Sequence, residues 1–192
     1  MPWGLDASGR HGPGWALEQL TKALNSDHPI IHDDEEWHFG CGWGSFVHCV
    51  CECGNAEVLD KYVQKVGTQC LHDLDSRHCR SSDLAFVEKL ISHGVRVDNT
   101  DFLGRTSLHY AAERGEIDVA ACLLAHGADM EAVDLRERTT PMGYAARQGR
   151  ADMVRYLLDH GASLESPEGR EWARPQALAE LAGETTIVSM LQ

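Results

Sequence analysis

This 192-residue chain lacks the segments that would assign it to many protein classes at once. No apolar run approaches the roughly 20 residues that a membrane-spanning helix requires, so we expect no membrane partner. The first residues, MPWGLDASGRHGPGW, lack the basic start and the apolar stretch of a secretory signal peptide. The chain also has no GxSxG, HExxH, P-loop or GxGxxG motif, although distant residues can still assemble a catalytic site.

Basic residues are scarce in this chain. Lysine and arginine together number 17, against 30 aspartates and glutamates, which leaves a net charge of −13. Binding to a nucleic-acid backbone requires clustered Lys and Arg, so we expect no nucleic-acid partner. The excess of acid is compatible with a protein partner, and it also favours solubility.

The cysteines argue against a secreted, disulfide-bonded protein. There are seven of them, an odd number, and the repeat pattern described below puts several at core positions. Free buried cysteines are typical of a reducing compartment, so we expect a cytoplasmic or nuclear protein.

The chain does contain an internal repeat. Residues 104–134 and 138–168 align with an offset of 34, and 12 of their 31 positions are identical. A period in the thirties is typical of short supersecondary units that stack into an array. Such arrays usually serve as binding surfaces, so the repeat says more about architecture than about the bound molecule.

Each repeat is predicted to form two short helices. The Thr106 hydroxyl can cap the first helix, and Ala111 and Ala112 are small enough to let neighbouring helices approach closely. Gly115 supplies the positive φ that ends this helix, and Asp118 begins the second one.

The segment TSLHYAAERGEIDVAACLLAHGAD, at 106–129, resembles the ankyrin repeat, whose pattern is T-P-L-H-x-A-A, a glycine, a leucine-rich second helix and G-A-D. The repeat at 140–163 matches too, although Gly143 replaces the histidine of the pattern. The resemblance covers 84–164 and implies an all-α solenoid of stacked helix-turn-helix units with projecting β-turn loops. It also implies a structural role for His109 and His48, because the histidine in this family ties the loop to the helix.

The pattern extends in both directions and becomes weaker. We predict an N-terminal cap helix and long finger loop over 1–42, degenerate repeats over 43–100, two clear repeats over 101–164 and a C-terminal capping repeat over 165–192. A terminal unit must tolerate water on its outer side, so its sequence departs from that of an internal repeat.

The resemblance implies that a partner binds on a concave face, at the turn tips and at the two residues before the glycine that ends the first helix. The predicted partner-binding residues are Phe102, Leu103, Arg105, Glu113, Arg114, Leu135, Arg136, Arg147 and Gln148, with Trp37 and Trp43 in the first finger. The two tryptophans can equally plug the top of a degenerate repeat. One extra residue in 134–139 leaves the assignments there open to a shift by one.

The chemistry of this set favours a non-enzymatic protein-interaction module, such as an adaptor, an inhibitor or a regulator. Aromatic residues and arginine dominate interface hot spots, and Phe102 and Leu103 are adjacent apolar residues at a tip that core packing does not use. The four arginines of the set predict a locally basic stripe that would receive an acidic segment of a partner. We expect a protein partner, no cofactor, and a monomer when the protein is alone.

The N-terminal half supports an alternative, an enzyme or metal-dependent factor built on residues 28–80. His28, His32, His38 and Cys41 are metal-ligand types within one acidic stretch, and HCVCEC follows at 48–53. Loop histidines are usually solvated, however, and the repeat alignment puts Cys51 in an alanine slot of the core, so we expect no metal. A third interpretation is a piece of a larger protein, in which the array targets or inhibits a missing domain.

Overall fold

The computed structural model describes residues 18, 21, 22, 24, 25, 50, 51, 54–71, 74, 76, 83–166 and 169–192. Helices and turns dominate these residues, and no strand occurs among them. The α-helices with defined bounds are α1 (Ala56–Val66), α2 (Leu84–Ser92), α3 (Ser107–Arg114), α4 (Ile117–Ala125), α5 (Pro141–Arg147), α6 (Ala151–Asp159), α7 (Pro175–Ala182) and α8 (Thr185–Met190). Short 3-10 helices cover Thr68–Leu71 and Glu171–Ala173.

The chain divides into two compact units. The first unit comprises Met1–Leu74 and Ala85–Val95, and the second comprises Asp75–Leu84 and Arg96–Gln192. None of the described helices is long and apolar enough to cross a membrane.

In the first unit, α1 begins where the Asn55 side chain accepts a hydrogen bond from the Val58 N–H, at 3.1 Å. Asp60 links α1 to α2. Its carboxylate lies 2.8 Å from Nζ of Lys89, on α2, and 2.8 Å from Nε2 of His93, just after α2. The hydrogen bond from Lys89, followed by that from His93, holds the pKa of Asp60 below its usual value. The buried apolar residues of α1 and α2 include Val58, Leu59, Val63, Phe86, Val87 and Leu90.

Among the described residues of the second unit, three helix pairs follow one another: α3 with α4, α5 with α6, and α7 with α8. The first helices of the pairs pack side by side, with α5 against both α3 and α7. Small side chains permit this close packing. The buried apolar positions include Leu108, Ala111, Ala112, Val119, Leu123, Met142, Ala145, Ala146, Met153, Leu157, Leu178, Ala179 and Ile187. The prediction of an all-α array of stacked helix-turn-helix units is confirmed.

The first helix of each clear repeat starts in the same backbone conformation. Thr106 precedes α3 with φ −86° and ψ 170°, and Thr140 precedes α5 with φ −86° and ψ 169°. Pro141 then occupies the first position of α5, where a missing N–H costs nothing. Gly115, at φ 81°, ends α3 in the left-handed region, as predicted.

The turn before each of these helices also requires one residue with positive φ. In the first turn this residue is Gly104, at φ 74°, and in the second it is Arg138, at φ 51°. The second turn is one residue longer than the first. Counted from the aspartate that starts each turn, Leu135 therefore corresponds to Phe102 and Arg136 to Leu103.

Candidate functional site

The first turn of the second unit carries an exposed aromatic residue on a tightly held backbone. The Phe102 side chain is 72% exposed, whereas Asp101 beside it is buried. The Asp101 carboxylate accepts hydrogen bonds from the N–H groups of Leu103, at 2.8 Å, and Arg105, at 2.9 Å, and from the Tyr110 hydroxyl, at 2.8 Å. These bonds hold the tip in one conformation before any partner arrives.

The charge on Asp101 follows from the same contacts. Burial alone raises the pKa of this carboxyl group. The hydrogen bonds from the backbone of Arg105, the Tyr110 hydroxyl and the backbone of Leu103 outweigh burial, so the pKa lies below its usual value. Asp101 is therefore a carboxylate at neutral pH and a permanent acceptor at the base of the turn.

Arg105 supports this turn from the inside. Its Nε and Nη2 lie 3.1 and 3.0 Å from Asp101 Oδ2, and its guanidinium carbon lies 4.4 Å from the centroid of the Tyr110 ring. The side chain is only 20% exposed. An arginine held in this way braces the turn tip, and a partner could contact only the exposed fifth of its side chain.

The second turn repeats this arrangement around Asp134, which is fully buried. Its carboxylate accepts hydrogen bonds from the N–H groups of Arg136, Glu137 and Thr139, at 2.9, 2.7 and 3.0 Å. Leu135 at the tip is 63% exposed, and Arg136 beside it is exposed as well.

The two turn tips are joined directly. The Leu135 N–H donates a hydrogen bond to the Leu103 carbonyl at 2.8 Å. A Cβ atom added at Gly104 would lie 2.7 Å from Leu135 Cγ, so the leucine side chain lies across the first turn. Phe102, Leu103 and Leu135 therefore belong to one continuous piece of surface.

The arginines predicted to form a basic stripe each lie near a carboxylate. Besides Arg105, Arg114 Nη1 lies 3.7 Å from Glu116, Arg136 Nε lies 3.6 Å from Glu137, and Arg147 Nη1 lies 3.2 Å from Glu137. Glu113 is half-buried and Gln148 is exposed at the ends of their helices. The helix-end part of the predicted surface is thus polar and close to charge-balanced.

His109 lies in the interior of the second unit. Its Nδ1 accepts a hydrogen bond from the Thr106 N–H at 3.0 Å, and its Nε2 lies 3.3 Å from the Thr139 carbonyl. Nε2 therefore carries the proton and donates to the next repeat. Burial lowers the pKa of His109 from 6.5 to about 4, so the ring is neutral at neutral pH. The predicted structural role is supported by these bonds.

Two exposed apolar residues of the third helix pair were not part of the predicted set. Trp172 is 54% exposed in the turn before α7, and Leu181 is 83% exposed near the end of that helix. The repeat offset could have found Leu181, because it lies 34 residues after Arg147. The sequence before Trp172 matches the repeat pattern weakly, so its exposure is seen only in the structure.

The N-terminal candidates lie outside the described residues: Trp37, Trp43, His28, His32, His38, Cys41 and His48. Within the described part of the chain, no group of three or more His, Cys, Asp or Glu side chains could hold a metal ion. Cys51 is buried, as its alanine-type slot predicts.

Comparison with known proteins agrees with this architecture. A family model described as ankyrin repeats (3 copies) matches residues 76–168. The chain is similar to the serine/threonine-protein kinase VIK of Arabidopsis thaliana, 42% identical over 66 residues, which are 34% of this chain and 15% of the kinase. It is also similar to the NF-kappa-B inhibitor cactus of Drosophila melanogaster, 27% identical over 100 residues, which are 50% of this chain and 20% of cactus.

The chain spans a fifth or less of the length of these curated relatives. The helix pairs within residues 76–168 match ankyrin repeats.

Proposed function

We propose that this protein is a non-enzymatic protein-interaction module that acts as an adaptor, an inhibitor or a regulator. A partner protein would lie across the concave face of the array and contact the turn tips and the ends of the first helices. The proposed contact residues are Phe102, Leu103, Arg105, Glu113, Arg114, Leu135, Arg136, Arg147 and Gln148, with Trp37 and Trp43 as candidates in the first finger.

The observation that carries this proposal is the exposure of Phe102 and Leu135 on turns whose backbones are fixed by buried aspartates. A large apolar side chain on a rigid loop lowers the entropy cost of binding, because little of the surface has to be ordered. Aromatic anchors of this kind commonly provide most of an interface's affinity.

The match of residues 76–168 to ankyrin repeats supports a role in protein interaction. Two of the relatives are named for different roles. One relative is named as an inhibitor of NF-kappa-B, and another as a serine/threonine-protein kinase. Because the chain aligns with only a small share of either, we transfer neither activity. We place the protein in the cytoplasm or nucleus, which agrees with its odd number of cysteines.

The test is capture of partners from lysate of the source cell, with identification by mass spectrometry. Wild-type protein is compared with a Phe102→Ala, Leu103→Ala, Arg114→Ala triple variant. A matched control carries Arg155→Ala and Asp159→Ala, at two exposed positions of α6.

We expect a partner that binds the wild type and the α6 control and is lost from the triple variant. Equal capture by all three proteins would show that the proposed contact residues are wrong. Capture of no partner by any of them would remove the support for an interaction module in this cell type.

A further inference from the structure

Large apolar side chains are exposed on the turns of three successive repeats in the second unit: Phe102 on the first, Leu135 on the second and Trp172 on the third. Scattered single apolar residues are normal on a protein surface, whereas a contiguous set marks an interaction site. The question is therefore whether these three residues lie on one continuous surface.

Hydrogen bonds connect the three turns in order. The Leu135 N–H donates to the Leu103 carbonyl at 2.8 Å, which joins the first turn to the second. The Thr139 hydroxyl donates to the carbonyl of Ala173, the residue after Trp172, also at 2.8 Å, which joins the second turn to the third. Packed helices lie ~8–10 Å apart, so three adjacent turns cover roughly 20 Å. An extended chain of about six residues has this length.

The charge on these turns differs from that of the chain as a whole. The segments 101–106, 134–140 and 169–174 contain five arginines and four carboxylates, in a chain with a net charge of −13. Two of the four carboxylates, Asp101 and Asp134, are buried and accept hydrogen bonds from backbone N–H groups. Arg105 is paired with Asp101 and largely buried, which leaves Arg136, Arg138, Arg170 and Arg174 against Glu137 and Glu171. Because Arg174 also pairs with Glu165 at 2.6 Å, the accessible charge on these turns has an excess of one positive charge.

We propose that the tips of the first two turns, together with the 3-10 turn that carries Trp172, bind one extended segment of a partner protein, in which apolar side chains alternate with Asp or Glu. Phe102, Leu135 and Trp172 contact the apolar side chains of this segment. Arg136 and Arg170, both exposed, lie close to the carboxylates of the segment. This inference rests on the proposed interaction function and narrows it to the turn tips. The helix-end positions Glu113, Arg114, Arg147 and Gln148 contribute little, because they are polar and close to charge-balanced.

A random peptide library displayed on phage, selected against the full-length chain, tests this inference. We expect enriched peptides that combine Phe, Leu or Trp with Asp or Glu. Their affinity should fall by at least about tenfold in Phe102→Ser and in Trp172→Ser, the usual effect of losing an aromatic anchor. It should also fall as NaCl is raised from about 50 to 500 mM, since salt screens exposed charges.

Arg155→Ala, an exposed change on α6, is the matched control and should alter affinity less than about twofold. Gln148→Ala, an exposed helix-end change, separates the helix ends from the turns. Circular dichroism verifies that each variant is folded, which we expect because the substituted side chains are exposed.

Three results overturn the inference: no enrichment, enriched peptides without acidic residues, or affinities that the two serine variants leave unchanged. Peptides whose binding is lost only in Gln148→Ala overturn the turn-tip site and leave the interaction function intact. Failure of the lysate capture together with the peptide selection would count against both.

Discussion

The repeats that begin at Thr106 and Thr140 make the same connection to the next repeat with different residues. In the first, His109 reaches across from α3 and contacts the Thr139 carbonyl at 3.3 Å. In the second, the matching position is Gly143, and the Thr139 hydroxyl contacts the Ala173 carbonyl at 2.8 Å. A Cβ atom on Gly143 would lie 2.0 Å from Thr139 Oγ1, so the hydroxyl occupies the space that a histidine would need.

This difference shows what the array requires at each junction. At each junction one side-chain donor bonds the buried backbone carbonyl just before the next first helix, and at the first junction this carbonyl also accepts from the Asp134 N–H. A long side chain on the helix or a short one on the turn can supply it. The histidine of the repeat pattern is therefore one solution, and its absence at Gly143 does not weaken the assignment of the second repeat.

The largest effect is expected for His109→Leu. The change removes the acceptor for the buried Thr106 N–H and one of the two donors to the Thr139 carbonyl, which keeps its hydrogen bond from the Asp134 N–H at 3.2 Å. An unsatisfied buried group costs about 1–3 kcal/mol and a lost hydrogen bond about 1 kcal/mol, so we expect a loss of roughly 3 kcal/mol in the free energy of unfolding. Urea denaturation followed by circular dichroism measures it.

Thr139→Val is the matched variant for the second repeat. It preserves the shape of the side chain and removes one donor only, so we expect a loss of about 1–2 kcal/mol. An equal loss in the two variants would contradict the view that His109 serves two groups and Thr139 Oγ1 one.

Acid should weaken the first junction specifically. The pKa of His109 is about 4 in the folded chain because of burial, and returns to its ordinary value of 6.5 on unfolding. The unfolded chain therefore binds the proton more readily, and stability falls as the pH drops from 6.5 to about 4. Once His109 is fully protonated, the free energy of unfolding should have fallen by about 3 kcal/mol, at 1.36 kcal/mol for each unit of pKa difference.

The measurement is the unfolding free energy at several pH values across this window, for wild type and His109→Leu. The leucine variant should show a flatter pH dependence. If both proteins lose stability in parallel, other groups titrate in this range and His109 does not control it.

Gly143→Ala tests the junction of the second repeat from the opposite direction. Alanine normally stabilises a helix relative to glycine by about 1 kcal/mol. Here the new methyl group would clash with Thr139 Oγ1, so we expect a net destabilisation of about 2 kcal/mol. Adding Thr139→Ala should make the double variant at least about 1 kcal/mol more stable than the sum of the single effects predicts. Additive effects would mean that the clash is relieved by other movements.

The same comparison explains how much of the fold could be predicted from the sequence. The alanine pairs at 111–112 and 145–146 and the glycines at the helix ends recur with a fixed offset, so the helix pairs follow from periodicity. The junction of the second repeat did not follow, because a threonine outside the helix replaces a histidine inside it. Such a replacement is visible only when the distance between the two positions is known.

The candidate site was predicted unevenly for a similar reason. Phe102 and Leu135 are turn-tip residues in any repeat of this pattern, and both are exposed. The pairing of Arg147 with Glu137 depends on how a helix end faces the preceding turn, which no spacing rule provides. Trp172 was missed because the sequence before α7 matches the repeat poorly.

The smallest expected effect concerns the first position of the first helix in each repeat. Pro141 occupies it in the second repeat, and Ser107 in the first, where the hydroxyl is buried without a hydrogen-bond partner among the described residues. The residue before each has nearly the same φ and ψ, so proline fits at 107 without strain. Ser107→Pro should stabilise the protein by about 1 kcal/mol, because it restricts the unfolded chain and removes an unsatisfied group.

Ser107→Ala separates these two causes, since it removes the hydroxyl and leaves the backbone as free as before. Thermal unfolding should rank the proteins proline, alanine, serine, with steps of a few tenths of a kcal/mol or more. An alanine variant as stable as the proline variant would assign the whole gain to the buried hydroxyl. A proline variant less stable than wild type would mean that the Ser107 N–H takes part in the junction, and the two repeats would then differ in their backbone contacts as well as in their side chains.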